Sequence, residues 1–480
     1  MAPSATDHSS SESSWVDRDD LRTAFTLAMS AMYKAEVPLY GDLVRIVGAV
    51  NQSTLGSALD PKVLAMRYGD VASSRLDVER HGAIRLGTPR ELRTVRRIFA
   101  IIGLDPVGYY DLSPAGLPMH ATCFRPKTEA SLHRNPFRVF TSVLRPELIK
   151  DPRARDLALE LLSKRNIFSD ELVELLDLGD AQHGRLRPNQ GRRFVAEAMK
   201  TFSWHGTAAA SHEDYQCLKD EHPILADIAC FRSSHINHLT PRTLCITSAQ
   251  DLMKREGLRV KDRIEGPPPR SCPILLRQTS FLAIEEPIKF LGASDPSYES
   301  LVQGSHRARF GEIEERGAAV TPAGRRLYDE LLNEATAASS EEPSPEEFDK
   351  LVETVFEKYP DDWDELRRRD LIYCTFEATS KGMEASLSDQ RYRLEDLLEQ
   401  GLIDAFPMTY EDFLPLSAAG IFQSNLGSKS PARETEACPD SEGMEEVLGA
   451  SLGDADEIYR AAQAESLAKC ASKLGIEVYV

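Results

Sequence analysis

The chain has 480 residues, 41% of them hydrophobic and 28% charged, which is enough for a large core and ordinary for a globular protein. Its net charge of -19 argues against a nucleic-acid partner, because phosphate binding needs a basic footprint, and no apolar run approaches the ~20 residues of a spanning helix, so no membrane partner is expected. Eight cysteines with no C-x-x-C pair read as reduced thiols, which points to a cytoplasmic location.

Residues 1–15 are Ser-rich and acidic, without an apolar core segment, and are expected to form a disordered tail rather than a targeting signal. Residues 17–33 carry Leu21, Ala24, Phe25, Ala28, Met29 and Met32 at helical spacing, and a second helix is expected near 40–51. A βα rhythm follows over about 70–130. His81-Gly82-Ala83-Ile84-Arg85-Leu86 reads as a strand. Thr88-Pro89-Arg90-Glu91 is a capping box with proline at the first helical position, opening a helix that Gly103 stops. Strands are expected at 107–111 and 119–124.

Residues 135–222 read as a helical insertion, with stripes at 155–165, 169–177 and 192–202. The βα pattern returns over about 228–320. His235-Ile236-Asn237-His238-Leu239-Thr240 alternates like a half-buried strand, and Pro241 ends it or marks an edge. A helix near Ser248, with Asp251 as a capping-box partner, comes next. Strands are expected at 273–281 and 308–317. A helical region spans about 321–410, with a Ser/Glu/Pro linker at 337–345. Residues 411–427 look like an apolar return to the core. Residues 428–480 are expected to be a polar loop and a terminal helix outside a catalytic domain of 16–427.

Histidines three apart on a strand face opposite sides, so only one of His235 and His238 can enter a given cavity. Glu312 and Glu314, two apart, share a face, as do His81 and Arg85, four apart. His81, His238 and Glu312 together make the two-imidazole, one-carboxylate set that holds iron(II) in oxygenases while leaving coordination positions open. Zinc could use the same set in a hydrolase or isomerase. An arginine beside a metal ligand suits bidentate capture of a substrate carboxylate.

The stretches His81-Gly82-Ala83-Ile84-Arg85, His235 to Arg242, Ala308-Arg309-Phe310-Gly311-Glu312-Ile313-Glu314, and Asp412-Phe413-Leu414-Pro415 with Gln423-Ser424-Asn425-Leu426 closely resemble the 2-oxoadipate dioxygenase/decarboxylase family, also called hydroxyglutarate synthases. Met32-Tyr33-Lys34, Val37 to Gly41, Pro106 to Leu112 and Pro273 to Phe281 extend the resemblance over about 20–427. It implies an α+β, vicinal oxygen chelate-like fold: paired βαβββ modules form a curved central sheet around a metal, with large helical insertions. The registers of this superfamily, which includes 4-hydroxyphenylpyruvate dioxygenase, select His238 over His235 and Glu312 over Glu314. By resemblance, His81, His238 and Glu312 bind Fe(2+), and Arg85 binds a substrate carboxylate as the catalytic positioning group. Leu416 contacts substrate through its backbone, and Arg277, Gln278 and Ser417 are pocket candidates. His235, His120 and His133 are expected to be structural or to lie behind the ligands. The implied reaction is 2-oxoadipate + O2 → D-2-hydroxyglutarate + CO2, a step of lysine catabolism, with dioxygen and a small 2-oxo diacid as partners. An oxygenase acting on another 2-oxo acid, and a non-catalytic binding protein, are the alternatives.

Overall fold

The computed structural model describes residues 15–56, 60–68, 79–291, 302–339, 343–385, 387, 391–414 and 437–479. Ten strands position the site: β1 (Glu79–Leu86), β2 (Asp105–Asp111), β3 (Met119–Arg125), β4 (Arg138–Leu144), β5 (Thr207–Ser211), β6 (His238–Pro241), β7 (Leu276–Ser280), β8 (Glu285–Leu291), β9 (Val302–Arg307) and β10 (Phe310–Arg316). Seven of them form one sheet in the order β2-β3-β4-β1-β6-β10-β7, which curls into a half-barrel. β5, β8 and β9 make a separate small sheet.

The large sheet consists of two copies of one βαβββ plan. In the first, β1 leads through the helix Pro89–Ile101 to β2, β3 and β4, and β4 returns parallel to β1. In the second, β6 leads through the helix Ile246–Arg255 to a segment that pairs with β7 and its end by the isolated bridges Val260–Phe281 and Glu265–Gln278. β10 then returns parallel to β6 and antiparallel to β7. The two leading strands, β1 and β6, meet antiparallel at the centre. The paired modules implied by the resemblance are therefore present.

Local chemistry explains the first module. Thr88 Oγ1 accepts the Glu91 N–H, and Pro89 occupies the first helical turn. The capping box is not closed as expected, because Glu91 accepts from Gly87 N at 2.8 Å and pairs with Arg165 at 2.6 Å. Gly103, at φ 74°, turns the chain from the helix into β2. In the second module the helix starts at Ile246, not Ser248, and its N-cap residue Cys245 makes no side-chain cap. Glu315 from β10 supplies the cap across the fold, accepting the Ile246 N–H at 2.8 Å.

Residues 135–222 are not wholly helical, since β4 and β5 lie within them. Every residue of β4 is buried. A strand covered on both faces shows no apolar–polar alternation, which is why Arg-Val-Phe-Thr-Ser-Val-Leu did not read as one. β6 begins only at His238, so His235 precedes the ladder, and the strand is central rather than an edge.

The sheet separates two cores. On one face Ile84, Leu86, Val139, Val143, Leu239 and Ile313 pack with Phe25, Tyr33, Phe99 and Phe202 of the surrounding helices. On the other, Ala83, Ala121, Cys123 and Phe140 meet Tyr110 and Phe413. The C-terminal segment 437–479 packs against the rest of the fold: the helix Ala455–Leu474 packs on the strand Cys374–Ala378, and Tyr459 is buried with its hydroxyl 2.6 Å from Asp412 Oδ2. Of the expected tail, Trp15 lies under the guanidinium groups of Arg185 and Arg187; residues 1–14 lie outside the described residues.

Candidate metal centre

Register alone brings three side chains together. His81 lies opposite Thr240, Ala83 opposite His238, and Phe310 opposite His238. Cross-strand partners share a face, and so do residues two apart, so His81, His238, Thr240 and Glu312 project to the same side from three adjacent strands. His81 Nε2 is 3.1 Å from Glu312 Oε1, His238 Nε2 is 3.9 Å from the same oxygen, and one ligand atom from each residue lies within 4.8 Å of the others. All three side chains are buried.

Two features of this trio suit a divalent cation. Among the described residues, both ring nitrogens of His238 and Glu312 Oε2 are buried without a hydrogen-bond partner, a costly condition unless something else satisfies them. Burial, reinforced by His81, Arg85 and Lys261, holds the His238 pKa well below 6.5, so the imidazole stays neutral and its lone pair is available. Burial also pushes Glu312 above the ordinary carboxylate range despite His81 beside it; a cation bound there would reverse that effect. Two nitrogens and one carboxylate could hold such an ion with coordination positions to spare.

His81 is oriented from behind. Glu314 Oε2 lies 2.8 Å from His81 Nδ1. Burial works against the Glu314 charge, but Arg316 and His81 outweigh it and keep its pKa well below the usual range. An ionised acceptor there requires the proton on Nδ1, which leaves the Nε2 lone pair facing Glu312. Arg316 grips both Glu314 oxygens at 2.9 Å, and Arg80 Nε lies 3.3 Å away. Beyond them, Arg80 and Arg138 pair with Glu411, and Arg125 pairs with Asp412. Thr240 Oγ1 sits 3.0 Å from His81 Nε2 and 3.2 Å from Glu312 Oε1. Of these neighbours, only the Glu312/Glu314 spacing left a trace legible in the chain.

Arg85 is buried on the same face, and its Nη1 lies 2.5 Å from Asp227 Oδ2. Gln278, opposite Glu314, shares the metal face and donates to Glu265 at 3.2 Å. Arg277 does not share it: it lies opposite Glu315, 3.6 Å from that carboxylate, on the other side of the sheet. Leu416 and Ser417 lie outside the described residues. His120 is buried against Tyr109 and faces away from the ligands, while His133 is exposed beside Glu129. His235 joins Asp227 and His306 in a second buried trio. Asp227 already carries the Arg85 guanidinium, which neutralises the carboxylate that an ion would need.

The family model for 2-oxoadipate dioxygenase/decarboxylase matches residues 25–425. The chain belongs to that family. Membership makes it an enzyme, as the sequence resemblance implied. A 2-oxoadipate dioxygenase/decarboxylase of Pseudomonas putida is 46% identical over 470 residues, covering 96% of this chain and 98% of the relative. Its Escherichia coli counterpart is 44% identical over 464 residues, covering 95% and 98%. The crystal structure of the hydroxyglutarate synthase of Pseudomonas putida in complex with 2-oxoadipate superposes with a TM-score of 0.85 at 43% identity, covering 96% of this chain and 99% of that one. The family match ends at 425, whereas the matches to both relatives and to the crystal structure cover 95% or more of the chain.

Proposed function

We propose that His81, His238 and Glu312 hold iron(II), and that the enzyme converts 2-oxoadipate and O2 to D-2-hydroxyglutarate and CO2 in lysine catabolism, in the cytoplasm. The observation that carries this reading is the convergence of the three side chains, with the buried His238 nitrogens unpartnered among the described residues, in a chain of this family. Eight free cysteines fit a reducing compartment, and no described helix is long and apolar enough to cross a membrane.

Bound there, iron(II) supplies the redox chemistry that activates dioxygen and the Lewis acidity that holds a 2-oxo acid. The chain supplies the rest. Glu314 keeps the His81 proton on Nδ1, and burial keeps His238 neutral. Arg85, on the same face as His81, captures the distal carboxylate and fixes the orientation of the substrate. Phe413 and Phe140, whose rings are 5.1 Å apart, wall the face with apolar surface and exclude water.

The test is anaerobic reconstitution with iron(II), followed by oxygen-electrode assays against 2-oxoadipate, 2-oxoglutarate and 4-hydroxyphenylpyruvate. Iron-dependent oxygen uptake matched by 2-oxoadipate loss and CO2 release is expected. Turnover that is equal with zinc, or free of oxygen uptake, would replace the oxygenase reading with a hydrolytic or isomerising one.

A further inference from the structure

Arg85 is one end of a longer buried assembly. Asp227, on the helix Pro223–Ala229, has both carboxylate oxygens committed. Oδ2 accepts from Arg85 Nη1 at 2.5 Å and from Asn237 Nδ2 at 3.4 Å. Oδ1 lies 2.9 Å from His306 Nε2 and 3.2 Å from His235 Nε2. His306 is itself fixed, because its Nδ1 meets the Tyr215 hydroxyl at 2.9 Å. The Tyr215 O–H donates to Nδ1, which leaves Nε2–H to donate to Asp227. Trp204 stacks on the His306 ring at 5.9 Å and sets its edge against His235 at 4.7 Å. Burial opposes the Asp227 charge, but Arg85 and His235 outweigh it and hold its pKa well below the ordinary range.

We infer that Asp227, clamped between His235 and His306, is a positioning residue that sets how far the Arg85 guanidinium stands from the metal centre, and through that distance selects the chain length of the 2-oxo diacid. The inference rests on the proposed role of Arg85 in binding the distal carboxylate. A simple counter-ion would not need this construction. Besides Arg85, the carboxylate on the helix 223–229 is contacted from two separate segments: by His235 and Asn237 before β6, and by His306 on β9. These contacts resist its following the arginine if a longer or shorter substrate pulls on it. An arginine side chain has large rotamer freedom, and removing that freedom before substrate arrives converts a general anion site into a ruler. One methylene moved at the carboxylate moves the guanidinium by about one bond projection, the same increment that separates 2-oxoglutarate from 2-oxoadipate.

The experiment compares wild type with Asp227→Asn, Asp227→Glu and the remote variant Tyr215→Phe, all reconstituted with iron(II). Three ligands are used: 2-oxoadipate, 2-oxoglutarate, and 2-oxohexanoate, which has a methyl in place of the distal carboxylate. Binding is measured by calorimetry under argon, turnover by oxygen uptake, and metal by content per chain. Asp227→Asn should lower the preference for 2-oxoadipate over 2-oxohexanoate by about tenfold or more, mainly through Kd and KM rather than kcat. Asp227→Glu should shift the 2-oxoadipate to 2-oxoglutarate ratio of kcat/KM by about fivefold or more. Tyr215→Phe, which frees the His306 ring without touching Asp227, should move the same ratios in the same direction by less, and keeps the test informative where Asp227 variants fold poorly. Parallel losses for the diacids and the monoacid would make Asp227 merely structural and overturn the inference, as would unchanged ratios. A second equivalent of metal in wild type, lost in His306→Gln, would overturn it by making the trio a metal site. A wild-type protein that neither binds nor consumes 2-oxoadipate removes the parent reading as well, so the two failures are distinct.

Discussion

Glu314→Gln isolates the part of the site that is furthest from substrate yet closest to the metal's electronic control. Glu314 is buried between His81 on one side and Arg316 and Arg80 on the other. In the variant, one amide oxygen replaces two carboxylate oxygens. Arg316 donates to both oxygen positions at 2.9 Å, and His81 Nδ1 lies 2.8 Å from the second, so the amide nitrogen meets an arginine N–H whichever way it turns and His81 loses the ionised acceptor that holds its proton on Nδ1. Changing a group behind a ligand histidine costs about 10–100-fold in metal affinity, which is about 1.4–2.7 kcal/mol. Competition titration with cobalt(II) and a chromophoric chelator under argon measures this on protein verified as folded by its melting temperature. Glu314→Asp, which keeps the charge, should lose less. An affinity for Glu314→Gln within about threefold of wild type, well below that range, would refute the tautomer argument.

His238→Ala should abolish stoichiometric iron binding, whereas His235→Ala should retain it; equal loss from both would overturn the choice of ligand. Burial, helped by Arg145, lowers the His120 pKa from 6.5 to about 4, so the folded protein keeps this ring neutral while the unfolded chain protonates it. Its contribution is intact above about pH 6.5 and declines as pH falls toward 4, by about 1.4 kcal/mol per pH unit. His120→Gln should remove that one-proton slope from urea-melt stabilities between about pH 6 and 4.5, and an unchanged slope would contradict it. A Cβ on Gly311 would lie 2.5 Å from Phe281 Cε1 and 2.7 Å from Leu43 Cδ2. Gly311→Ala should therefore cost about 1–3 kcal/mol by overpacking and weaken metal binding through its neighbour Glu312, read as paired drops in melting temperature and cobalt affinity. Gly41→Ala, with nothing within 4 Å of the added atom, serves as the neutral or mildly stabilising control.

Much of the first module was legible because its signals are local. The Thr88 cap, Pro89, the stop at Gly103 and the strand at His81 each depend on residues a few positions apart. β4 was not legible, since a strand buried on both faces carries no periodic trace. The start of the helix Ile246–Arg255 was misplaced because its cap comes from Glu315, 69 residues away. Arg277 and Gln278 are both pocket candidates by resemblance, yet adjacent residues on a strand face opposite ways, and of the two Gln278 shares the metal face.

By itself, the sequence determined the leading strand and the helix that follows it in each module, the spacing that puts His81 with Arg85 and Glu312 with Glu314 on common faces, and the motifs that carry the family resemblance. These follow from backbone periodicity, which is written within a few residues. Only the tertiary structure decided which histidine joins which carboxylate, through the antiparallel register of β1 on β6 and the parallel register of β6 on β10. It also decided that Glu314 stands behind His81 and that Asp227 holds Arg85. Those pairings join residues 142 and 233 positions apart in the chain, and no local pattern encodes them, because the charges that stabilise them are brought within hydrogen-bonding distance only when the sheet closes and water is excluded.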